Sequence, residues 1–168
     1  ALGAALVLAF VYPVGRLSVT NDPLAWFRAE RGVLLDAQRI QRDLAGVKVF
    51  YITLEAGDGP GFQDPPNLQK LVDIQAFVAK QGLFDRSLSL ADELSLVNRE
   101  LNEGRAQAWR VPATRKQVAQ GLLFIQRRDL EPYVSQDFRR ANIVVRHDVR
   151  DSTLLNRHVD ELRQVVGH

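Results

Sequence analysis

Residues 47–88 read VKVFYITLEAGDGPGFQDPPNLQKLVDIQAFVAKQGLFDRSL, and they predict a strand, a helix and a second strand. Val47–Leu54 is rich in β-branched and aromatic residues that alternate between two faces. Asp64 and Pro65 indicate the start of the helix, because both residue types favour a first turn. Leu83–Leu88 is the second strand, and we expect the two strands to run parallel. The helix residues expected to face inward are Leu68, Leu71, Ile74 and Val78.

Helices are also predicted on both sides of this segment. Residues 24–45 carry apolar residues at spacings of three and four, which is typical of one helix face. Ser89, followed three residues later by Asp92, predicts a second capped helix start. The apolar stripe expected on that helix consists of Leu90, Leu94, Val97 and Leu101.

The second half of the chain predicts two more helices and a strand. Pro112 indicates the start of a long helix that runs to about Phe138 and is broken near Pro132, since proline removes a helical hydrogen bond. Residues 141–147, ANIVVRH, are rich in β-branched residues and predict a third strand. Residues 152–166 again carry apolar residues at spacings of three and four.

This order of elements predicts an α+β fold. It reads as a helix, a βαβ unit, a two-helix insertion, a strand and a helix. A ferredoxin-like βαββαβ sandwich would need one more strand, so we expect the last strand to be missing and one edge to be unpaired. Residues 47–88 and 141–168 would form the βαβ layer, and residues 89–140 the helical insertion. We interpret both ends of the sequence as internal to a longer protein.

The first residues are strongly apolar. Residues 1–14, ALGAALVLAFVYPV, carry no charge but are shorter than the roughly 20 residues that span a bilayer. They lack the basic start of a signal peptide. We interpret residues 1–16 as the end of a transmembrane helix and residues 17–168 as a periplasmic domain. The alternative interpretation is a buried N-terminal strand or helix of a soluble fold.

Composition excludes several classes of function. The 22 basic and 20 acidic residues give a net charge of +2 and are interspersed, which argues against a nucleic-acid surface. The chain has no cysteine, so disulfides, zinc–thiolate sites and thiol nucleophiles are excluded.

No catalytic, cofactor or metal site is predicted. The loop Gly57–Gly61 lacks dinucleotide-binding spacing, and Asp58 would repel a pyrophosphate, so a flexible surface loop is the preferred interpretation. The three histidines lack the spacing of a metal pair. Ser152 follows His147 and Asp148 but lacks the pattern of a nucleophile elbow. We therefore expect the protein not to be an enzyme.

Two groups of residues are candidates for binding. The arginine pairs 127–128 and 139–140 could contact phosphate or anionic lipid headgroups, although a solvated helix surface balanced by nearby carboxylates is the preferred interpretation. Five aromatic residues could line a path for apolar cargo, or each could simply be a core or interface residue. They are Trp26, Phe27, Phe62, Phe84 and Trp109.

The sequence resembles an extracytoplasmic loop domain of RND-superfamily exporters, in the branch of large lipid exporters and hopanoid transporters. The order and spacing of individually loose motifs carry the resemblance across nearly the whole chain. These motifs are Asn21-Asp22 with Trp26 and Phe27, Leu44-Ala45-Gly46, Phe62-x-Asp64-Pro65, Ser87–Asp92 with Asn98, Pro112, the run DFRRANIVV at 137–145, and Ser152.

The resemblance implies a porter-type domain in the bacterial inner membrane, facing the periplasm. Its partners would be transmembrane helices of the same polypeptide, hydrophobic or lipid-like cargo, and further copies in a homo-oligomer. Transport would be driven by protons, and the family's proton-relay carboxylates lie in membrane helices, so none of this chain's acids is assigned that role.

Two other functions remain open at this point. An extracytoplasmic sensor or interaction domain of a membrane receptor would share the membrane-helix end and the α+β core. A soluble enzyme with an unrecognised site would require a polar cluster in one cleft, which a single sequence does not reveal.

Overall fold

The computed structural model describes residues 48–149 and 152–166. Residues 48–148 belong to one compact unit, whereas residue 149 and residues 152–166 belong to a second. Most of the described secondary structure, and every described strand, lies in the first unit.

Several predictions fall outside the described residues. These are the membrane-helix end at 1–16, the helix at 24–45, and the candidate aromatic residues Trp26 and Phe27. None of the helices in the described part of the chain is both long enough and apolar enough to cross a membrane.

The described chain combines α-helices with one small antiparallel sheet, which confirms the α+β class. A short 3₁₀ helix spans Ala106–Ala108. In chain order the other elements are β1 (Lys48–Glu55), α1 (Pro65–Lys80), β2 (Arg86–Leu88), α2 (Leu90–Leu101), α3 (Arg115–Leu122), α4 (Arg127–Leu130), β3 (Arg140–His147) and α5 (Ser152–Val166).

The three strands lie in the order β1-β3-β2, and both outer strands are antiparallel to β3. Phe50 of β1 and Ser87 of β2 lie opposite Val145, one on each side of it. β1 and β2 therefore run in the same direction, as expected. They are not hydrogen-bonded to each other, however, because β3 lies between them.

One face of the sheet contributes to the core. Along β3 buried and partly exposed residues alternate, and β1 alternates in the same way. Because directly opposite residues of antiparallel strands share a face, the less exposed residues of β1 lie beside the buried residues of β3. All four residues predicted to face inward on α1 are buried, which confirms the helix and its register. The buried apolar residues of β3 are Ala141, Ile143 and Val145.

A polar network joins α1 to the start of α2. Ser89 caps α2 in a capping box with Asp92, as the sequence predicts. The Ser89 hydroxyl is also within hydrogen-bonding distance of Gln75 Oε1, at 2.8 Å, and Gln75 Nε2 donates to Asp92 Oδ2 at 2.7 Å. Ser89 is fully buried, so these bonds satisfy polar groups that have no access to water.

The loop between β1 and α1 is exposed over residues 57–60, which agrees with a surface loop. It is held at several points, however. Arg139 Nη1 donates to the Gly59 carbonyl at 2.6 Å, and Asn67 Nδ2 donates to the Pro60 carbonyl at 2.6 Å. At its end the Phe62 N–H donates to the Phe138 carbonyl at 2.8 Å, which ties the loop to the segment before β3.

The predicted long helix from Pro112 to Phe138 is wrong. The segment forms α3 and the single turn α4, so the insertion at 89–140 contains three α-helices instead of two. Four consecutive apolar residues at 122–125 would encircle a continued helix, and a helix buries only one stripe. Phe138 has a left-handed backbone, with φ of 57°, which no residue adopts inside an α-helix.

The second strand is shorter than predicted, since only Arg86–Leu88 of the expected Leu83–Leu88 pairs with β3. Phe84 precedes the strand and is buried against the Phe50 ring, with 5.4 Å between ring centroids. The aromatic side chain of Phe84 is therefore explained by core packing just before the paired strand.

Candidate functional site

A cleft lies between α2 and α3. Its volume is about 160 Å³. One wall comes from the exposed side of α2, and the other from Pro112 and α3. The lining residues are Leu94, Val97, Asn98, Leu101, Asn102, Pro112, Gln117, Gln120 and Gly121.

Local sequence explains how the two helices approach each other. Thr114 and Gln117 form a capping box that starts α3 directly after Pro112. At Gly121 a Cβ atom would lie only 3.1 Å from Leu94 Cδ2, so glycine allows close packing at this end of the cleft.

Trp109 lies next to this cleft. Asn98, which lines the cleft, donates from Nδ2 to the carbonyls of Ala108 at 2.9 Å and Arg110 at 3.1 Å, the two neighbours of Trp109. The indole is 48% exposed and the Arg99 guanidinium stands 5.0 Å from its ring centroid. An amide side chain and a cation therefore hold an aromatic surface in a defined position beside the cleft.

The chemistry of the cleft suits apolar and weakly polar groups. Leucine, valine and proline alternate with carboxamides, and none of the lining residues carries a charge. The volume is below the roughly 300–1,000 Å³ of typical small-molecule sites. The cleft can therefore hold a segment of an apolar molecule, but not an entire lipid.

Three of the five aromatic residues proposed as a substrate path are described, and their surroundings differ. Phe62 and Phe84 are buried, and Phe84 packs against Phe50 and His147, which favours their interpretation as core residues. Trp109 alone of the three described ones is exposed. Trp26 and Phe27 lie outside the described residues.

Sequence reasoning missed the cleft itself. Val97 and Leu101 were expected to face inward on α2, whereas Val97 is half-buried and Leu101 is 54% exposed. Two features of the sequence could have revealed the cleft. The apolar stripe of α2 continues past the buried part of the helix, and the facing helix α3 contains a glycine.

The arginine pairs differ in their surroundings. The Arg127 guanidinium lies 5.5 Å from the Phe138 ring centroid, and Arg128 lies 3.7 Å from Asp129. Arg139 donates to the Gly59 carbonyl and is thus part of the loop anchor. These contacts are consistent with exposed surface residues that have structural partners.

The acidic residues at the start of α2 also have structural explanations. Asp92 belongs to the capping box of α2. The pKa of Glu93 is raised, first because the carboxyl is partly buried and then because Asp92 and Asp129 are near it. Within residues 48–149 and 152–166, no group of three or more histidine and acidic side chains is placed to hold a metal ion.

His147 is the buried titratable residue of the sheet. Its ring lies 5.6 Å from the Phe50 ring and 6.4 Å from the Phe84 ring, measured between centroids. Its pKa is lowered, chiefly because burial disfavours the charged ring and then because Lys48 repels it, while Asp85 and Asp148 act in the opposite direction. The imidazole is therefore neutral in the folded protein at pH 7.

This lowered pKa predicts acid sensitivity. Unfolding restores the pKa of His147 to its ordinary value of about 6.5, so the unfolded chain binds the proton more readily. We expect the stability that the neutral His147 ring contributes to be fully present above about pH 6.5. It is lost as the pH falls toward the lowered pKa of the folded protein. Urea unfolding at several pH values, compared with His147→Phe, measures it. An equal pH dependence of both proteins would contradict the prediction.

Comparisons with known proteins give no relative for this chain, since no protein-family model, no curated protein and no solved structure matches it.

Proposed function

We propose that this chain is a non-catalytic periplasmic domain of a proton-driven RND-type exporter, located at the bacterial inner membrane. In this role it takes part in the binding and passage of hydrophobic or lipid-like substrates. It works beside transmembrane helices of the same polypeptide, in a homo-oligomer. The motif resemblance motivates this proposal.

The strand order supports the proposal. β1 and β2 run in the same direction on the two sides of β3, and α1 connects them, which is the split βαβ arrangement of ferredoxin-like domains. We propose the ferredoxin-like, porter-type sandwich lacking its last strand as the fold. Among the described residues β1 pairs with β3 alone, so its eight-residue outer edge would provide the position for that strand.

The cleft and Trp109 support a role in passage. A groove of about 160 Å³ next to an exposed indole contacts only part of a long apolar molecule at a time. Weak, partial contact of this kind suits a molecule that moves along a surface, because tight enclosure would slow its release.

The proposed role of the cleft is tested with a brominated fatty acid, which quenches a nearby tryptophan. In a Trp26→Phe background Trp109 is the only tryptophan of the chain. We expect saturable quenching that Leu101→Asp weakens about tenfold or more. Binding of an acyl chain would remove water from the new carboxylate without offering it a hydrogen-bond partner. Leu123→Asp is the matched control, since Leu123 is exposed but does not line the cleft.

This titration distinguishes binding of the fatty acid at the cleft from binding elsewhere on the protein. Absence of quenching, or quenching that only Leu123→Asp abolishes, would contradict apolar binding at the cleft.

The exporter proposal as a whole is tested by deleting the gene that encodes the chain. We expect altered lipid content of the outer envelope or altered tolerance to apolar drugs, and no change under several stresses would count against transport.

A further inference from the structure

The turn that ends α3 exposes two large apolar side chains in succession. Leu123 is 84% exposed and Phe124 is 67% exposed, the two highest values among the large apolar residues described. A single exposed apolar residue is ordinary, whereas neighbouring ones form a continuous apolar surface of the kind that marks an interaction site. Leu123 and Phe124 are called the apolar tip below.

The backbone holds the apolar tip in place. Leu123 keeps a helical conformation, with φ of −68° and ψ of −22°. The Phe124 N–H donates to the Gly121 carbonyl at 3.1 Å, and the next N–H, of Ile125, donates to the Leu122 carbonyl at 3.3 Å. Neither residue of the apolar tip lines the cleft. The two side chains therefore project into solvent from the end of a helix instead of forming part of a groove.

Basic residues flank the apolar tip on both sides. Residues 115–128 carry four basic side chains and no acidic one. Acidic residues from outside this segment lie near two of them, Arg115 and Arg128. In the part of the chain that the structure describes, no carboxylate forms an ion pair with the other two, Lys116 and Arg127. The surroundings of the tip are therefore positively charged.

Lys116 and Arg127 both lie close to the apolar tip. Lys116 precedes Leu123 by about two helical turns, so the two residues share one face of α3. Arg127 follows Phe124 by three residues, and its guanidinium lies 5.5 Å from the Phe138 ring centroid. A guanidinium that stacks on a ring keeps the N–H groups at its edge available to phosphate oxygens.

We propose that the apolar tip inserts into the surface of an anionic lipid bilayer, with Lys116 and Arg127 at the level of the lipid phosphates. A bilayer suits this shape because it accepts protruding apolar side chains without a matching pocket, which a protein partner would have to provide. Charge complementarity favours anionic lipids over neutral ones, since each nearby cation adds to the attraction.

The contact is small, so we expect membrane binding that is reversible and weakened by salt. It does not depend on the proposed transport role. The titration with a brominated fatty acid tests the cleft, and the apolar tip is not part of that cleft. Membrane contact and transport can therefore be contradicted separately.

The experiment places a fluorescent label on the tip. The chain has no cysteine, so Leu123→Cys provides a single site for the environment-sensitive fluorophore NBD. Lys80→Cys, at the exposed end of α1, is the matched control. Each labelled protein is mixed with vesicles of equimolar phosphatidylcholine and phosphatidylglycerol, or of phosphatidylcholine alone, that carry a nitroxide on their acyl chains.

We expect the label at position 123 to shift its emission to shorter wavelengths and to be quenched by the anionic vesicles, because it enters the acyl region. The label at position 80 stays in water and is not quenched. Each label reports on its own position, so binding of the apolar residues 1–14 to lipid would not imitate this result.

Charge reversal tests the role of the flanking cations. In the protein labelled at position 123, we expect Lys116→Glu to raise the lipid concentration for half-maximal quenching at least about tenfold, whereas Lys80→Glu has little effect. An unchanged titration for Lys116→Glu would overturn the proposal. Absence of quenching at position 123, or equal quenching at both positions, would do the same. A shift that follows protein concentration without lipid would instead assign the tip to contact between copies.

Discussion

Replacing Leu94 with alanine is expected to lower the free energy of unfolding by about 2–5 kcal/mol. Leu94 is fully buried on α2, and its Cδ2 atom packs at the closest approach to Gly121 on α3. Its removal leaves a void that neither helix can fill without moving. Because Leu94 also lines the cleft, the same substitution enlarges the groove.

Leu101→Ala is the matched control for this prediction. Leu101 is on the same helix and lines the same cleft, but it is more than half exposed. We expect its replacement to change the free energy of unfolding by less than about 1 kcal/mol. Urea unfolding followed by circular dichroism measures both variants. Equal losses would show that α2 is not anchored through its buried end.

Gly61→Ala is expected to cost about 1–3 kcal/mol through a steric clash. A Cβ atom at position 61 would lie 2.7 Å from the Phe138 carbonyl oxygen, which is backbone and cannot rotate away. The same carbonyl accepts the Phe62 N–H, so a shift would also weaken that hydrogen bond. Phe138 already has a left-handed backbone, which leaves little freedom to adjust.

Gly59→Ala in the same loop controls for the loss of a glycine. Its Cβ would meet no atom closer than the Ala56 carbonyl oxygen at 3.5 Å, which is ordinary contact. We expect a change within about 0.5 kcal/mol. Thermal unfolding of the two variants side by side tests the difference, and a loss at Gly61 no greater than at Gly59 would contradict the close approach to Phe138.

Features encoded by neighbouring residues were predicted correctly from the sequence. The inward face of α1 follows from apolar residues at helical spacing, and the start of α2 follows from Ser89 and Asp92. β1 and β3 follow from runs of β-branched residues. In each case the residues that specify the element also form its hydrogen bonds or its buried face, so a short window of sequence contains the full physical cause.

Features that depend on distant contacts could not be predicted in the same way. The position of β3 between β1 and β2 depends on pairing across about ninety residues, as in the bond between Thr53 and Asn142. The end of α3 depends on how many of its apolar residues find a buried surface. The cleft depends on how closely Gly121 on α3 approaches Leu94 on α2. The composition of either helix alone does not reveal that distance.

The brevity of β2 limits how this sheet can be extended. Within the described residues β2 lies at the opposite end of the strand order from β1, and its three residues are too few to pair firmly with another strand. A strand added on this side would gain only a short ladder of hydrogen bonds, so the β2 side is protected against the edge-to-edge association that underlies open-ended fibres.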